Sequence, residues 1–297
     1  MKFTVSPSED KKRLDHVLSM RLPDVSRSFL QSLCKHSKVL VNGRVEKSGY
    51  KLRWGDAVAI LHDMTQLGKP DSITIPIVYE DDDLIVVNKP AGVLSHALSK
   101  FKNEPSVASF LREHAQDSSR PADVRYGIVH RLDRLTSGVM VCAKHEEAMK
   151  HLQKQFAART VKKTYLAVVA SHPKHNAALI DVPLERHPKA PATFRVSSRG
   201  KSAQTDYQVL GKAAISSDEY VLEVSPRTGR THQIRVHLQH IGCPIKGDVL
   251  YGGKVADRLY LHAHAIELEA VSGAIGRRRF VAEPPEGFQA KSDAGQT

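Results

Sequence analysis

The stretch 126–144, Tyr-Gly-Ile-Val-His-Arg-Leu-Asp-Arg-Leu-Thr-Ser-Gly-Val-Met-Val-Cys-Ala-Lys, constrains this chain more than any other. It sets one carboxylate, Asp133, between two guanidinium groups, Arg131 and Arg134, and follows them with a Thr136-Ser137-Gly138 turn. The run 138–143 that comes next is apolar and reads as a strand, so a charged loop must feed directly into a buried sheet. A carboxylate held among cations stays ionised and oriented, which suits a nucleophile or base acting on an anionic substrate. The same tripeptide is also the pattern of an ordinary surface ion pair. The charge cluster alone leaves both readings open.

The complete string narrows the choice. His-Arg-Leu-Asp-x-x-Thr-Ser-Gly followed by an apolar strand ending in Ala-Lys resembles the catalytic segment of RluA-type pseudouridine synthases, which isomerise uridines in structured RNA. Two other blocks carry the resemblance. Lys-Lys-Thr-Tyr-Leu-Ala at 162–167 is similar to the segment with an active-site tyrosine, here Tyr165, and Gly-Arg-Thr-His-Gln-Ile-Arg-Val-His at 229–237 is similar to a third family block. The opening strand, 77–93, with its Pro90-Ala-Gly92 turn, resembles the segment that enters the catalytic sheet. The resemblance implies that Asp133 is the essential carboxylate and that Arg230 pairs with it across the cleft. It further implies that Tyr165 stacks on the extruded base or moves a proton at carbon 5, and that Arg131 fills the space the base leaves. One departure stands out: many relatives have an acidic residue where this chain has Leu135, which bears on substrate choice more than on chemistry.

The front of the chain reads as a separate module. Leu14, Val17, Leu18 and Leu22 recur at helical spacing until Pro23, and Ser26 is placed to cap a second helix over 27–35 with Phe29, Leu30 and Leu33 on its buried face. Asn42-Gly43 between apolar runs is a strong hairpin signal. Two short helices and a hairpin-rich sheet resemble the αL RNA-binding module of ribosomal small-subunit protein four. The resemblance puts Arg27, Lys35 and Lys38 on the RNA-facing surface, where basic side chains grip phosphate without reading sequence.

A length of 297 residues exceeds one ordinary core, and a formal net charge of +12 favours a polyanionic partner. The resulting expectation is an RNA-binding module at 1–62, a linker at 63–75, a catalytic domain at 76–288 and a mobile tail at 289–297. The fold class is α+β, with a mixed, mostly antiparallel sheet in the larger domain, because strands do not alternate regularly with helices. The cysteines Cys34, Cys142 and Cys243 form no CxxC pair, so neither a disulfide framework nor a zinc site is indicated. His232, His237, His240, His262 and His264 lack metal-site spacing, and the acidic run 80–83 reads as a solvated turn.

No phosphate-binding glycine fingerprint is present, and no cofactor is expected. No signal-peptide core and no run near the ~18 apolar residues of a membrane span occurs, so the expected setting is soluble and cytoplasmic. The implied function is isomerisation of specific uridines in large-subunit ribosomal RNA by a monomer. A tRNA substrate is the alternative, and a catalytically silent RNA-binding or ribosome-assembly factor is the rival. A nucleic-acid hydrolase fits less well, since no metal cluster or carboxylate pair supports it.

Overall fold

The computed structural model describes residues 1–23, 25, 27–61, 72–97, 104–115, 126–214, 218–271 and 276–291. The chain divides into two compact units, one of residues 1–72 and 96–126, the other of 73–95 and 127–297. Residues 96–126, expected within the catalytic domain, therefore group with the front unit. Ser72 Oγ donates to Glu113 Oε1 at 2.9 Å and ties the two segments of that unit. Most of the expected linker, 63–71, lies outside the described residues, as does Ser26. Ile75, at the linker's far end, is buried. The tail is ordered over its first residues. The Ala214 N–H donates to the Gln289 carbonyl (2.8 Å) and the Lys291 N–H to that of Lys212 (2.7 Å), so the expected mobile segment begins as an edge pairing; residues 292–297 lie outside the description.

In the front unit, β1 (Lys2–Thr4), β2 (Val39–Val41), β3 (Arg44–Val45) and β4 (Ala57–Ile60) form an antiparallel sheet in the order β1-β4-β2-β3. Asn42 and Gly43 both take positive φ, +50° and +78°, the geometry a two-residue hairpin requires. Helices α1 (Leu14–Arg21) and α2 (Arg27–Lys35) bury Leu14, Val17, Leu18, Leu30, Leu33 and Cys34 in one core with Val39, Val41, Val58 and Ile60. A further helix, α3 (Val107–His114), starts where Ser106 Oγ accepts the Ser109 N–H.

Asp15, in the first turn of α1, is fully buried. It accepts from Arg13 Nε (3.0 Å) and Nη2 (3.1 Å), Arg27 Nη2 (3.2 Å) and Gln31 Nε2 (2.6 Å). Burial alone would raise its pKa, but the bonds from Arg13, Gln31 and Arg27 override that effect and hold the carboxyl well below the usual range.

The larger unit has β5 (Ile77–Glu80), β6 (Leu84–Lys89), β7 (Ser137–Ala143), α4 (Glu146–Ala158), β8 (Lys162–Val169) and β9 (Ala177–Asp181). It continues with the hairpin β10 (Leu184–Arg186) and β11 (Phe194–Val196), then β12 (Gln204–Lys212), β13 (Tyr220–Pro226), α5 (Gln233–His240), β14 (Leu261–Glu269) and β15 (Arg277–Val281). Its large sheet runs β5-β6-β7-β14-β8-β13-β12-β9, with β15 added beside β14. Only β7 and β14 pair in parallel, so the sheet is mixed and mostly antiparallel. At that junction Gly138 has φ +118°, and a Cβ there would stand 2.2 Å from the Ala263 carbonyl oxygen. Only glycine lets β7 start against β14, and this start fixes where the preceding Asp133 loop emerges.

Candidate active site

Asp133 sits on a loop whose backbone is gripped on both sides. The ammonium of Lys89, fully buried at the end of β6, donates to the carbonyls of Pro90 (2.8 Å), Val93 (2.8 Å) and Arg134 (3.1 Å). Ser95 Oγ donates to the Leu132 carbonyl (2.8 Å) and accepts the Leu132 N–H (3.0 Å). Both neighbours of Asp133 are thereby anchored to the 89–95 segment. Burial pushes the Lys89 amine down to about 7, with the Asp133 charge acting in the opposite sense.

The groups that face Asp133 come from the start of α5. His232, its N-cap residue, takes a left-handed φ of +56°, and the side chain of Gln233 folds back to satisfy the approaching backbone. Its Oε1 accepts from the Arg230 N–H (3.0 Å) and Thr228 Oγ1 (2.6 Å), which ties the segment before the helix to its first residue. One turn into the helix, Arg235 is buried and forms a two-pronged bond with Asp248, 2.7 Å on each arm. Its third nitrogen, Nη1, stands 3.7 Å from Asp133 Oδ2, and His232 Nε2 stands 3.9 Å from the same oxygen. Both distances exceed the ~2.7–3.2 Å of a hydrogen bond. The carboxylate is held by charge while no described donor occupies it. His232 is itself steadied by the Tyr251 hydroxyl at 2.8 Å from Nδ1; burial lowers its pKa and Asp133 raises it.

Arg230 therefore does not make the contact with Asp133 expected from the sequence. It precedes the helix, and its Nε donates to the Ser202 carbonyl at 3.0 Å. The reason is the left-handed residue between them: the chain reverses at His232, and the side chain that swings toward Asp133 is Arg235. Arg230 still lines the same cavity, of about 470 Å³, as do Asp133, Arg131, Tyr165, His130 and Phe156. The Tyr165 phenol is raised well above its ordinary pKa, first by burial and then by the negative charge of Asp133, so it remains a proton donor at neutral pH.

The three expected RNA contacts in the front unit have different surroundings. Lys35 and Lys38 are exposed, whereas Arg27 is half-exposed and engaged with Asp15. Sequence reasoning missed Arg235, His232, Lys89 and Ser95 as members of the site. A signal existed for Arg235, which lies in a helix with an apolar stripe and has Asp248 available in the following loop. None marked Lys89, since a lysine at a strand end normally reaches solvent.

His237 and His262 are held in structural bonds. His237 bonds Thr205 Oγ1 (2.9 Å) and the Val182 carbonyl (3.1 Å); His262 bonds Ser137 Oγ (2.8 Å) and the Ala282 carbonyl (2.9 Å). Among the described residues no group of three His, Cys, Asp or Glu side chains is arranged for a metal ion, and no helix is long and apolar enough to cross a membrane.

Similarity to known proteins agrees with this geometry. Residues 83–240 match the RNA pseudouridylate synthase family, and residues 12–58 match the S4 domain. An uncharacterized RNA pseudouridine synthase of Aquifex aeolicus is 42% identical over 259 residues, covering 86% of this chain and 80% of that protein. The ribosomal large subunit pseudouridine synthase C of Vibrio parahaemolyticus is 34% identical over 278 residues, covering 87% of this chain and 85% of the relative. The solved structure of human RNA pseudouridylate synthase domain containing 1 aligns with a TM-score of 0.59 at 26% identity, over 73% of this chain and 86% of that one. With its carboxylate, tyrosine and arginine blocks on one cavity and an S4 domain in front, this chain belongs to the RNA pseudouridine synthase family of RNA isomerases.

Proposed function

We propose that this enzyme isomerises specific uridines of large-subunit ribosomal RNA, as a monomer in the cytoplasm, with Asp133 as the essential carboxylate. The observation that carries the reading is the setting of Asp133: anchored backbone, a guanidinium and an imidazole just beyond hydrogen-bond range, and an open cavity shared with Tyr165. The reaction breaks the bond from N1 to the ribose, turns the base, and joins carbon 5 to the same ribose carbon. A proton leaves carbon 5 and N1 gains one, so no redox partner or group donor is needed.

The target must first leave its stack, at a cost of a few kcal/mol. Phosphate contacts over a chain of net charge +12 offset that cost. Arg131, exposed beside Asp133, has the flat guanidinium needed to fill the vacated space. Tyr165 offers a ring face for the extruded base and a protonated hydroxyl. Arg235 faces Asp133 with a guanidinium as the base excludes water, and Arg230 supplies a second one at the cavity wall. Lys35 and Lys38, with the free side of Arg27, would hold RNA phosphates away from the reacting base. Leu135, exposed two residues after the carboxylate, is placed to influence which uridine is accepted. The ribosomal substrate is supported by the name of the Vibrio relative.

Pseudouridine mapping of ribosomal and transfer RNA tests the proposal, using cells with the gene intact, deleted, or carrying Asp133→Ala. A large-subunit site lost in both altered strains is the expected outcome. Loss of a tRNA site instead would move the substrate. An unchanged map, with no activity on unmodified RNA in vitro, would leave a silent RNA-binding or assembly protein.

A further inference from the structure

The cavity that holds Asp133 continues past Tyr165 to a region the uridine chemistry does not use. Helix α4 ends at Ala158, and Arg159 closes it in the left-handed conformation, φ +60°. The chain then turns into β8, where Lys163 and Tyr165 stand two residues apart on one face, and both line the cavity. Phe156, one turn before the helix end, lines it as well. Its ring is stacked on His130 with centroids 4.7 Å apart and planes 20° from parallel. His130 is neutral, because burial and then the Lys163 charge push it down to about 3, and its Nε2 accepts the Val141 N–H at 3.0 Å. The aromatic wall is thus fixed from behind.

The cations around this part of the cavity differ in whether a carboxylate meets them. Lys162 pairs with Glu267 at 3.3 Å, Arg277 with Glu267 at 2.6 Å, Arg227 with Asp206 at 2.6 Å, and Arg235 with Asp248 at 2.7 Å. Arg159 and Lys163 have no carboxylate partner among the described residues. Burial, and after it the charge of Arg159, brings the Lys163 amine down to about 8. Two like charges that line one cavity, where Arg159 lowers the hold of Lys163 on its proton, are stabilised by an anion bound there. The cavity, about 470 Å³, lies within the ~300–1,000 Å³ of ordinary ligand pockets and has room beyond a single pyrimidine. Asp133 repels a phosphate from its own part of the wall, so the anion is directed to the Arg159–Lys163 side.

We propose that Arg159 and Lys163 form a phosphate-binding subsite for the nucleotide next to the flipped uridine, with Phe156 as its stacking wall. This rests on the uridine-isomerising reading and extends it to a second nucleotide of the single strand. The contact is to backbone, so it fixes strand direction and register without reading a base. Because the neighbouring residue is held by its phosphate, the subsite selects uridines in a loop or strand end over those locked in a duplex.

The test uses the full-length protein and the trinucleotide UpUpU, compared with the same trinucleotide carrying uncharged methylphosphonate linkages. Binding is followed by nuclear magnetic resonance titration at several salt concentrations. The wild type is expected to prefer the charged form by about tenfold, equivalent to ~1.4 kcal/mol. Lys163→Met and Arg159→Gln should each reduce that preference, and should lower the salt slope by about 0.7 per lost contact. Lys163→Arg should restore it. Arg159 is exposed at a helix end, so its variant remains informative if the Lys163 variant folds poorly. No preference in the wild type, or an unchanged preference in both variants, overturns the subsite. A preference that vanishes as expected in a protein unable to form pseudouridine leaves the subsite standing and removes the functional reading.

Discussion

The tripeptide Arg-Leu-Asp occurs at 13–15 and again at 131–133, and the two copies have opposite fates. In both, the leucine is buried in the core of its own unit. At the first copy Asp15 is buried with it, and Arg13 folds back to meet the carboxylate at 3.0 Å while Arg27 and Gln31 complete the shell. At the second copy no ion pair joins Arg131 to the carboxylate among the described residues. Asp133 keeps 18% of its side chain exposed and accepts no hydrogen bond from a described residue; the Arg235 guanidinium and the His232 imidazole stand 3.7 and 3.9 Å away. The first aspartate is a structural anion with its hydrogen-bonding capacity engaged. The second is held in place through its backbone and leaves its oxygens free to meet a substrate. What separates structure from chemistry is therefore the donor shell around the carboxylate, since the tripeptide is the same.

Substitutions at the two sites should break differently. Asp133→Asn should lower pseudouridine formation by at least about 10³-fold, within the range for loss of a reacting acid or base, while the urea midpoint stays at the wild-type value. Asp15→Ala should do the reverse. It should destabilise the front unit by roughly 3 kcal/mol, because two guanidinium groups and an amide lose their shared acceptor, and leave kcat of the folded protein near wild type.

Within the cavity, Arg235→Lys should cost kcat about 10²-fold, the usual loss for one charge-stabilising donor. Arg230→Met should cost less, at about tenfold. A larger effect at Arg230 would mean that substrate binding rebuilds the pairing expected from the sequence.

The smallest effect is in pH dependence. Asp15 and Glu9 both have folded pKa values below the unfolded ones, Glu9 at about 2 because Arg21 bonds it strongly. Their stabilisation is complete above the unfolded value, ~4, and is lost as pH falls through the folded values. These two carboxylates should add no pH dependence to urea unfolding above about pH 5 and should weaken the protein toward pH 2, a decline that Asp15→Asn should flatten in part.

Local signals made much of this legible in the sequence. Asn42-Gly43 dictates its hairpin through backbone geometry, α1 and α2 announce themselves by apolar spacing, and the apolar run from Gly138 reads as a buried strand. The charged string around Asp133 placed the carboxylate, and the blocks around Tyr165 and Arg230 placed the walls of the same cavity. The partner of Asp133 was not legible, because it depends on a single left-handed residue, His232, that rotates α5 and brings Arg235 forward. Lys89 was hidden for a related reason: the Arg134 carbonyl, distant in sequence, joins those of Pro90 and Val93 around it only after folding. The grouping of residues 96–126 with the front unit likewise follows from contacts distant in sequence.

Tritium release from RNA labelled at carbon 5 of uridine tests the central contrast most directly, because that hydrogen leaves only when the base is rejoined through carbon 5. The measurement should compare wild type, Asp15→Asn and Asp133→Asn at equal concentrations of folded protein. The account predicts release by wild type and by Asp15→Asn at similar rates, and none above background by Asp133→Asn. Release by Asp133→Asn near the wild-type rate would contradict it.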